Sequence, residues 1–243
     1  MTTELRLLCA GAAKGLVDVL SEPFGLANAA SISGCFGAVG AMQEALHAGE
    51  PCDLMIVTES MIAALVGEGL LDGATQRPIG RVRTGIAVRT GEPVPDVTTA
   101  DALKALLLEA KGLYFPDPIR STAGIHFAGV LRRLELHALL EPLFHTYPNG
   151  ATAMRALAAS TEMQLVGCTQ VTEINYTDGV RLAGPLPREF ELATVYAAAV
   201  TRKAMQPELA RLFIESLAGE ESAPLRRAGG FEPATDQSEG VGR

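Results

Sequence analysis

The chain has 243 residues, a net charge of −8, 48% hydrophobic and 20% charged residues, and no tryptophan. That composition supports a large core, in one domain or in two lobes of roughly 100–150 residues, and excludes global disorder. The acidic balance argues against a nucleic-acid partner, and no apolar run approaches the ~20 residues that span a bilayer, so no membrane insertion is expected.

Taken in order, short apolar runs alternate with small-residue or hydroxyl turns that open helices. Leu5–Cys9 runs into Gly11-Ala12-Ala13-Lys14, Ala30–Cys35 into Gly37-Ala38-Val39-Gly40, and Leu54–Val57 into Thr58-Glu59-Ser60. Leu16, Val17 and Leu20, then Met42, Ala45 and Leu46, then Met61, Leu65 and Ile62 fall at helical spacing, each set burying one stripe against a sheet. Ser60 is the expected cap of the third helix. Around Arg83–Arg89 the pattern turns into a long extended run. A Pro/Gly loop follows, and Thr98 or Thr99 caps a helix over Ala100–Glu109. A second α/β series contains Gly112–Phe115 before Arg120-Ser121-Thr122, a helix Ala151–Ala159 capped by Asn149, and Leu165–Cys168 before Thr169-Gln170. Gly184-Pro185-Leu186-Pro187 and the extended run Leu192–Val200 lead to an amphipathic helix, Pro207–Leu217. Residues 234–243 are polar and small, and read as a frayed tail.

Alternating strands and helices define an α/β fold with mostly parallel pairing. Two such halves bracketed by long extended segments imply one lobe interrupted by another. The expected division is 1–84 with 195–233 against 85–194, a hinged two-lobed arrangement with its ligand between the lobes. Each strand that ends in such a turn aims a helix N-terminus at the carboxyl edge of the sheet. The free N–H groups and positive dipole end suit that edge to anions.

The amino terminus, Met1-Thr2-Thr3-Glu4-Leu5-Arg6, lacks the basic, apolar and small-residue blocks of a secretion signal. Two readings stay open: a cytoplasmic protein, or a periplasmic one whose leader has been removed. The four cysteines, Cys9, Cys35, Cys52 and Cys168, have no CxxC spacing and are expected as buried free thiols. His47, His137 and His145 have no partner at metal-ligand spacing, so no metal site and no cofactor is expected. The glycines of Gly34–Gly40 do not follow the GxGxxG dinucleotide pattern.

In its order of Cys9-Ala10-Gly11-Ala12, Gly40–Met42, Ala48–Leu54, Gly85–Arg89, Pro95–Thr99, Thr122–His126, Gly184–Pro187 and Thr194–Tyr196, the chain resembles the type II periplasmic-binding-protein superfamily, in its molybdate-binding-protein-like branch. The resemblance covers roughly Leu5 to Pro233. It implies a two-lobed α/β fold, each lobe a mostly parallel sheet flanked by helices, that binds a small anion and, when exported, serves an ABC transporter. Members of that branch that bind molybdate place hydroxyl residues after the first two strands. Here Gly11-Ala12-Ala13 and Gly37-Ala38-Val39 offer only backbone donors. The Gly-Pro-Leu-Pro turn, the Thr194-Val195-Tyr196 run and the Gln170…Glu173 pair also resemble the aconitate-isomerase-like subgroup. That likeness implies a cofactor-independent isomerase of an unsaturated polycarboxylate as the alternative function.

The candidate ligand contacts are Gly11, Ala12, Lys14, Ala38, Val39, Gly40, Thr58, Arg120, Ser121, Thr122, Asn149, Thr169, Gln170 and Tyr196. Arg120 supplies a planar fork that matches a carboxylate better than a compact tetrahedral ion, while Ser121 or Thr122 caps the helix that follows. A molybdate-like oxyanion and a di- or tricarboxylate both fit this set. If a proton moves, Glu173 in a desolvated cleft or His126 is the candidate to move it, with Glu173 the better carboxylate base.

Overall fold

The computed structural model describes residues 2–234; the expected frayed tail, apart from Ala234, lies outside the described residues. In chain order the elements are β1 (Thr3–Ala10), α1 (Gly11–Asn28), β2 (Ala30–Gly37), α2 (Val39–His47), β3 (Leu54–Thr58), α3 (Glu59–Gly67) and β4 (Arg77–Arg89). Then come α4 (Ala100–Glu109), β5 (Gly112–Pro116), α5 (Thr122–Arg133), α6 (His137–Leu140), β6 (Phe144–Tyr147), α7 (Gly150–Ala159) and β7 (Leu165–Gln170). The chain closes with α8 (Val171–Asn175), β8 (Val180–Pro185), β9 (Ala193–Val200), α9 (Pro207–Ala218) and α10 (Ala223–Gly229).

Two compact units divide these elements. The first holds residues up to 36, 42–82 and those from 194 onward; the second holds 37–41 and 83–193. The long strands β4 and β9 carry the chain from one unit to the other, at 82/83 and 193/194.

In the first unit the strand order is β2-β1-β3-β9. β1 and β3 run parallel, with Leu7 opposite Leu54 and Cys9 opposite Ile56, whereas β9 returns antiparallel to β3. All five residues of β3 are buried, as expected of a central strand covered on both faces. β2 is an edge strand, and this exposes Cys35, correcting its expected burial. Buried Asp53 ties the amino end of this sheet together. Its carboxylate accepts N–H bonds from Arg6 (2.9 Å), Met205 (2.6 Å) and Gln206 (2.9 Å), joining β1, the start of β3 and the lead-in to α9.

The second unit has the order β4-β7-β5-β6, with β8 on the other side of β4. β5 is parallel to both β6 and β7; β4 is antiparallel to β7 and β8. The sheet is therefore parallel at its centre and antiparallel where the crossing strand joins it. Its core sits on two faces. One is built from Phe115, Phe127, Leu103, Leu107 and Leu131, the other from Met154, Leu157, Leu165 and Ile174. The strands β6 and β8 are half-exposed, so they lack the continuous apolar signal that marks β3, β5 and β7. No helix among the described residues is long and apolar enough to cross a membrane.

Candidate functional site

In the first unit, β1 ends at Ala10, which occupies the N-cap of α1 in an extended conformation and cannot bond the first-turn amides. No acidic side chain stands in that turn. The N–H groups of Gly11, Ala12 and Ala13 thus open the 18-residue helix without a side-chain cap. Lys14, one step further, forms an ion pair with Asp18 and sits over the Phe36 ring, 4.8 Å from its centroid. The third helix differs. Thr58, not Ser60, is its cap: the Thr58 Oγ1 accepts the Met61 N–H at 3.3 Å and lies 3.2 Å from the Ser60 hydroxyl. Tyr196 is buried directly opposite Thr58 in the β3–β9 ladder.

In the second unit, β5 leads to α5 through a turn built on Asp117, whose Oδ1 accepts the N–H groups of Ile119 (2.7 Å) and Arg120 (3.1 Å). Arg120 is exposed, and Ser121 after it is the N-cap of α5. The Ser121 side chain makes no cap bond, and no acidic residue stands in the first turn, so the amide end of this 12-residue helix also has no side-chain cap. Thr122, its first residue, is half-buried. The stretch holding buried Ala38 and Val39 comes up against this turn, with the Gly40 N–H donating to the Arg120 carbonyl at 3.4 Å.

The start of α7, in the same second unit, is filled from within. Asn149 caps α7, its Oδ1 accepting both the N–H and the hydroxyl of Thr152 at 2.9 Å. Glu173, which is buried, brings its carboxylate to the same helix end. Oε1 accepts the Ala151 N–H at 3.3 Å, Oε2 accepts the Thr169 hydroxyl at 2.5 Å, and the N–H groups of Gly150 and Gln170 also donate to it. Burial pushes the Glu173 carboxyl above the ordinary carboxylate range, and these four donors oppose that rise without cancelling it. Residue 150 must be glycine for this to form. A Cβ there would stand 1.9 Å from Thr169 Oγ1 and 2.1 Å from Glu173 Oε2.

Beside this carboxylate lies a group of polar side chains that sequence reasoning reached only in part. Gln170 is 2% exposed, and both ends of its amide lack a hydrogen-bond partner. Thr84 stands directly across from it in the β4–β7 ladder, and Thr172 follows two residues on. The Thr84 and Thr172 hydroxyls are likewise buried and unpartnered. The available signal was a hydroxyl beside apolar strand and helix positions, Thr84 before Gly85-Ile86-Ala87-Val88 and Thr172 between Val171 and Ile174.

His126 has a separate partner: its Nε2 lies 2.7 Å from the Phe190 carbonyl. A carbonyl only accepts, so Nε2 carries the proton in this bond. The second unit thus brings together Asn149, Thr169, Gln170 and Glu173, and separately Gly40 with Arg120. His126 is bonded elsewhere. Cys9 and Cys168 are fully buried, and burial raises both thiols well above their ordinary range. Burial of this kind disfavours the thiolate form of both. Among the described residues, no group of three or more His, Cys, Asp or Glu is placed to hold a metal.

Paired α/β units whose strands end at helix N-termini are the architecture of a solute-binding protein. Residues 5–232 match the family of bacterial extracellular solute-binding proteins, and the chain belongs to that family. A relative, aconitate isomerase from Pseudomonas sp, is 28% identical over 198 residues, covering 81% of this chain and 73% of the relative. Among solved structures, the periplasmic molybdate-binding protein of Azotobacter vinelandii aligns with a TM-score of 0.77 at 14% identity, covering 95% of this chain and all of that one. The sulfate-binding protein of Mycobacterium tuberculosis aligns with a TM-score of 0.72 at 17% identity, covering 97% and 88%. At such identities these structures establish the fold.

Proposed function

We propose that this chain binds a small anion, an oxyanion or a carboxylate, at the carboxyl edges of its sheets. One observation carries the reading. Two long helices, α1 and α5, begin at those edges with no side-chain cap bond and no acidic residue in the first turn, whereas the start of α7 carries its own carboxylate. An anion at an open helix end gains about 0.3–1 kcal/mol from the dipole, more where partly buried, in addition to its hydrogen bonds. The contacts assigned are Gly11, Ala12 and Lys14 with Thr58 and Tyr196 in the first unit. Those in the second are Ala38, Val39, Gly40, Arg120, Ser121, Thr122, Asn149, Thr169 and Gln170. Handing the ligand to an ABC transporter is the partner role of this reading, and the periplasm is its compartment.

The second reading, isomerisation of an unsaturated polycarboxylate, is favoured by the 28% identity to aconitate isomerase. It would use Glu173 and His126 to move a proton, with Arg120 and the helix ends holding carboxylates and the developing enolate charge.

Thermal melts of the whole chain against molybdate, tungstate, sulfate, phosphate, citrate and the two aconitates test both. Binding to the native state raises the melting temperature by mass action. A shift with any of these anions is expected; no shift with any of them overturns the anion reading. Interconversion of cis- and trans-aconitate by the purified chain would establish the isomerase, and binding without turnover would leave the binding protein.

A further inference from the structure

The buried side chains beside Glu173 narrow the class of ligand, an inference that rests on the anion-binding reading above. Thr84 and Gln170 are direct partners in an antiparallel ladder, so their side chains leave the same face of the sheet. The Gln170 amide nitrogen and oxygen, the Thr84 hydroxyl and the Thr172 hydroxyl are all buried, and none bonds another or any other protein group. Buried polar atoms are almost always partnered, and three such side chains, one cross-strand pair and a third two residues along the chain, call for a specific reason. Elsewhere in the same sheet edge the accounting is complete. Glu173 is served by Thr169 and by the amides around it, and Asn149 by Thr152.

The chemistry of the orphaned groups is mixed. An amide offers two donors and an accepting oxygen, and each hydroxyl both donates and accepts. A ligand that only accepts, such as sulfate, molybdate or a fully ionised unsubstituted carboxylate, satisfies the donors and leaves the Gln170 oxygen buried without a partner. A ligand that also carries a hydroxyl hydrogen serves both.

We infer that Thr84, Gln170 and Thr172 are specificity-determining residues that select a small oxoacid anion bearing a hydroxyl hydrogen, a hydroxycarboxylate or a protonated oxyanion. Glu173 has a positioning part in this. By accepting the backbone N–H groups of Gln170 and Gly150 it anchors the strand end from which Gln170 projects, and it occupies the start of α7 in place of a ligand anion.

Titration calorimetry of the whole chain with matched pairs tests the inference: citrate against tricarballylate, malate against succinate, and hydrogen phosphate against sulfate. Within each pair the shape is similar and only one member carries the hydroxyl hydrogen. The hydroxyl-bearing member of at least one pair is expected to bind about tenfold tighter or more, because its analogue leaves a buried acceptor unpaired. Which pair responds separates a carboxylate from a tetrahedral oxyanion. The isosteric variants Thr84→Val and Thr172→Val supply a readout that a structural role would not produce. Each should melt higher than the parent without ligand, since an unpaired buried hydroxyl is gone, yet bind the preferred ligand more weakly and with a smaller preference. Equal affinities within every pair that binds overturn this inference and leave anion binding standing. Unchanged discrimination in the two valine variants, or a lowered ligand-free melting temperature in both, also overturns it. No heat with any of the six anions overturns this inference, whereas the anion reading falls only if molybdate, tungstate and the two aconitates also leave the melting temperature unmoved.

Discussion

Two buried carboxylates, Asp53 in the first unit and Glu173 in the second, accept backbone amides and organise a sheet end, yet they do so at opposite ends of their strands. Asp53 precedes β3 and gathers three N–H groups from separate segments, and among the described residues no unpartnered buried side chain adjoins it in sequence. Glu173 follows β7 and gathers its donors at a helix start, with the orphaned Thr172 immediately before it and Gln170 three residues earlier. In open α/β sheets ligands gather at the carboxyl ends of strands, and the amino ends carry stability. The polar accounting agrees. It closes around Asp53 and stays open around Glu173, as expected where local rules give way to function.

The largest expected effect is on the stability side. Asp53→Ala would leave the amides of Arg6, Met205 and Gln206 unserved, and should lower unfolding free energy by about 3 kcal/mol or more, read from urea denaturation. Affinity for the anion, measured on the folded fraction, should be unchanged; a comparable loss of affinity would break the contrast. Gly150→Ala comes next. Its new Cβ must displace Thr169 and Glu173, costing about 1–3 kcal/mol, and it should weaken ligand binding as well.

The pH dependence sharpens the comparison further. Burial raises the Glu173 carboxyl in the folded chain, so between the ordinary carboxylate range and that raised value the native state holds a proton the unfolded state has released. Its contribution to stability is therefore complete below the ordinary range and is lost as pH rises through the folded value. Glu173→Gln should remove this segment of the stability–pH curve, and a curve identical to the parent's would show that Glu173 does not titrate this way.

The smallest effects separate caps that are in use from those left open. Asn149→Ala removes a cap bond and should cost about 1 kcal/mol of stability. Ser121→Ala removes a hydroxyl that makes no cap bond at α5, so the melting temperature should move little while anion affinity falls. A large loss of stability in the serine variant would place Ser121 with the structural caps instead.

Much of this was legible in the residues. Central strands β3, β5 and β7 are buried on both faces and read as continuous apolar runs; Thr99 and Asn149 announce their helices by residue type and position. The edge strand β2 misled for a physical reason. Cys35 belongs to a strand with small and apolar residues, and only its place at the border of the sheet exposes it. Ser60 was the expected cap of α3, but the strand runs one residue further and delivers Thr58 to the position whose oxygen meets the Met61 amide.

The amino-acid sequence by itself determined the alternation of strands and helices, the caps Thr99 and Asn149 and the lack of hydroxyls after β1, because these depend on backbone preferences and spacing within a few residues. Tertiary structure alone decided which helix starts are open and which polar groups are left over. The carboxylate that fills α7 comes from 22 residues away, and Thr84 meets Gln170 only through the register of an antiparallel ladder. Hydrogen-bond satisfaction is a sum over neighbours in space, and a linear chain does not state who those neighbours are.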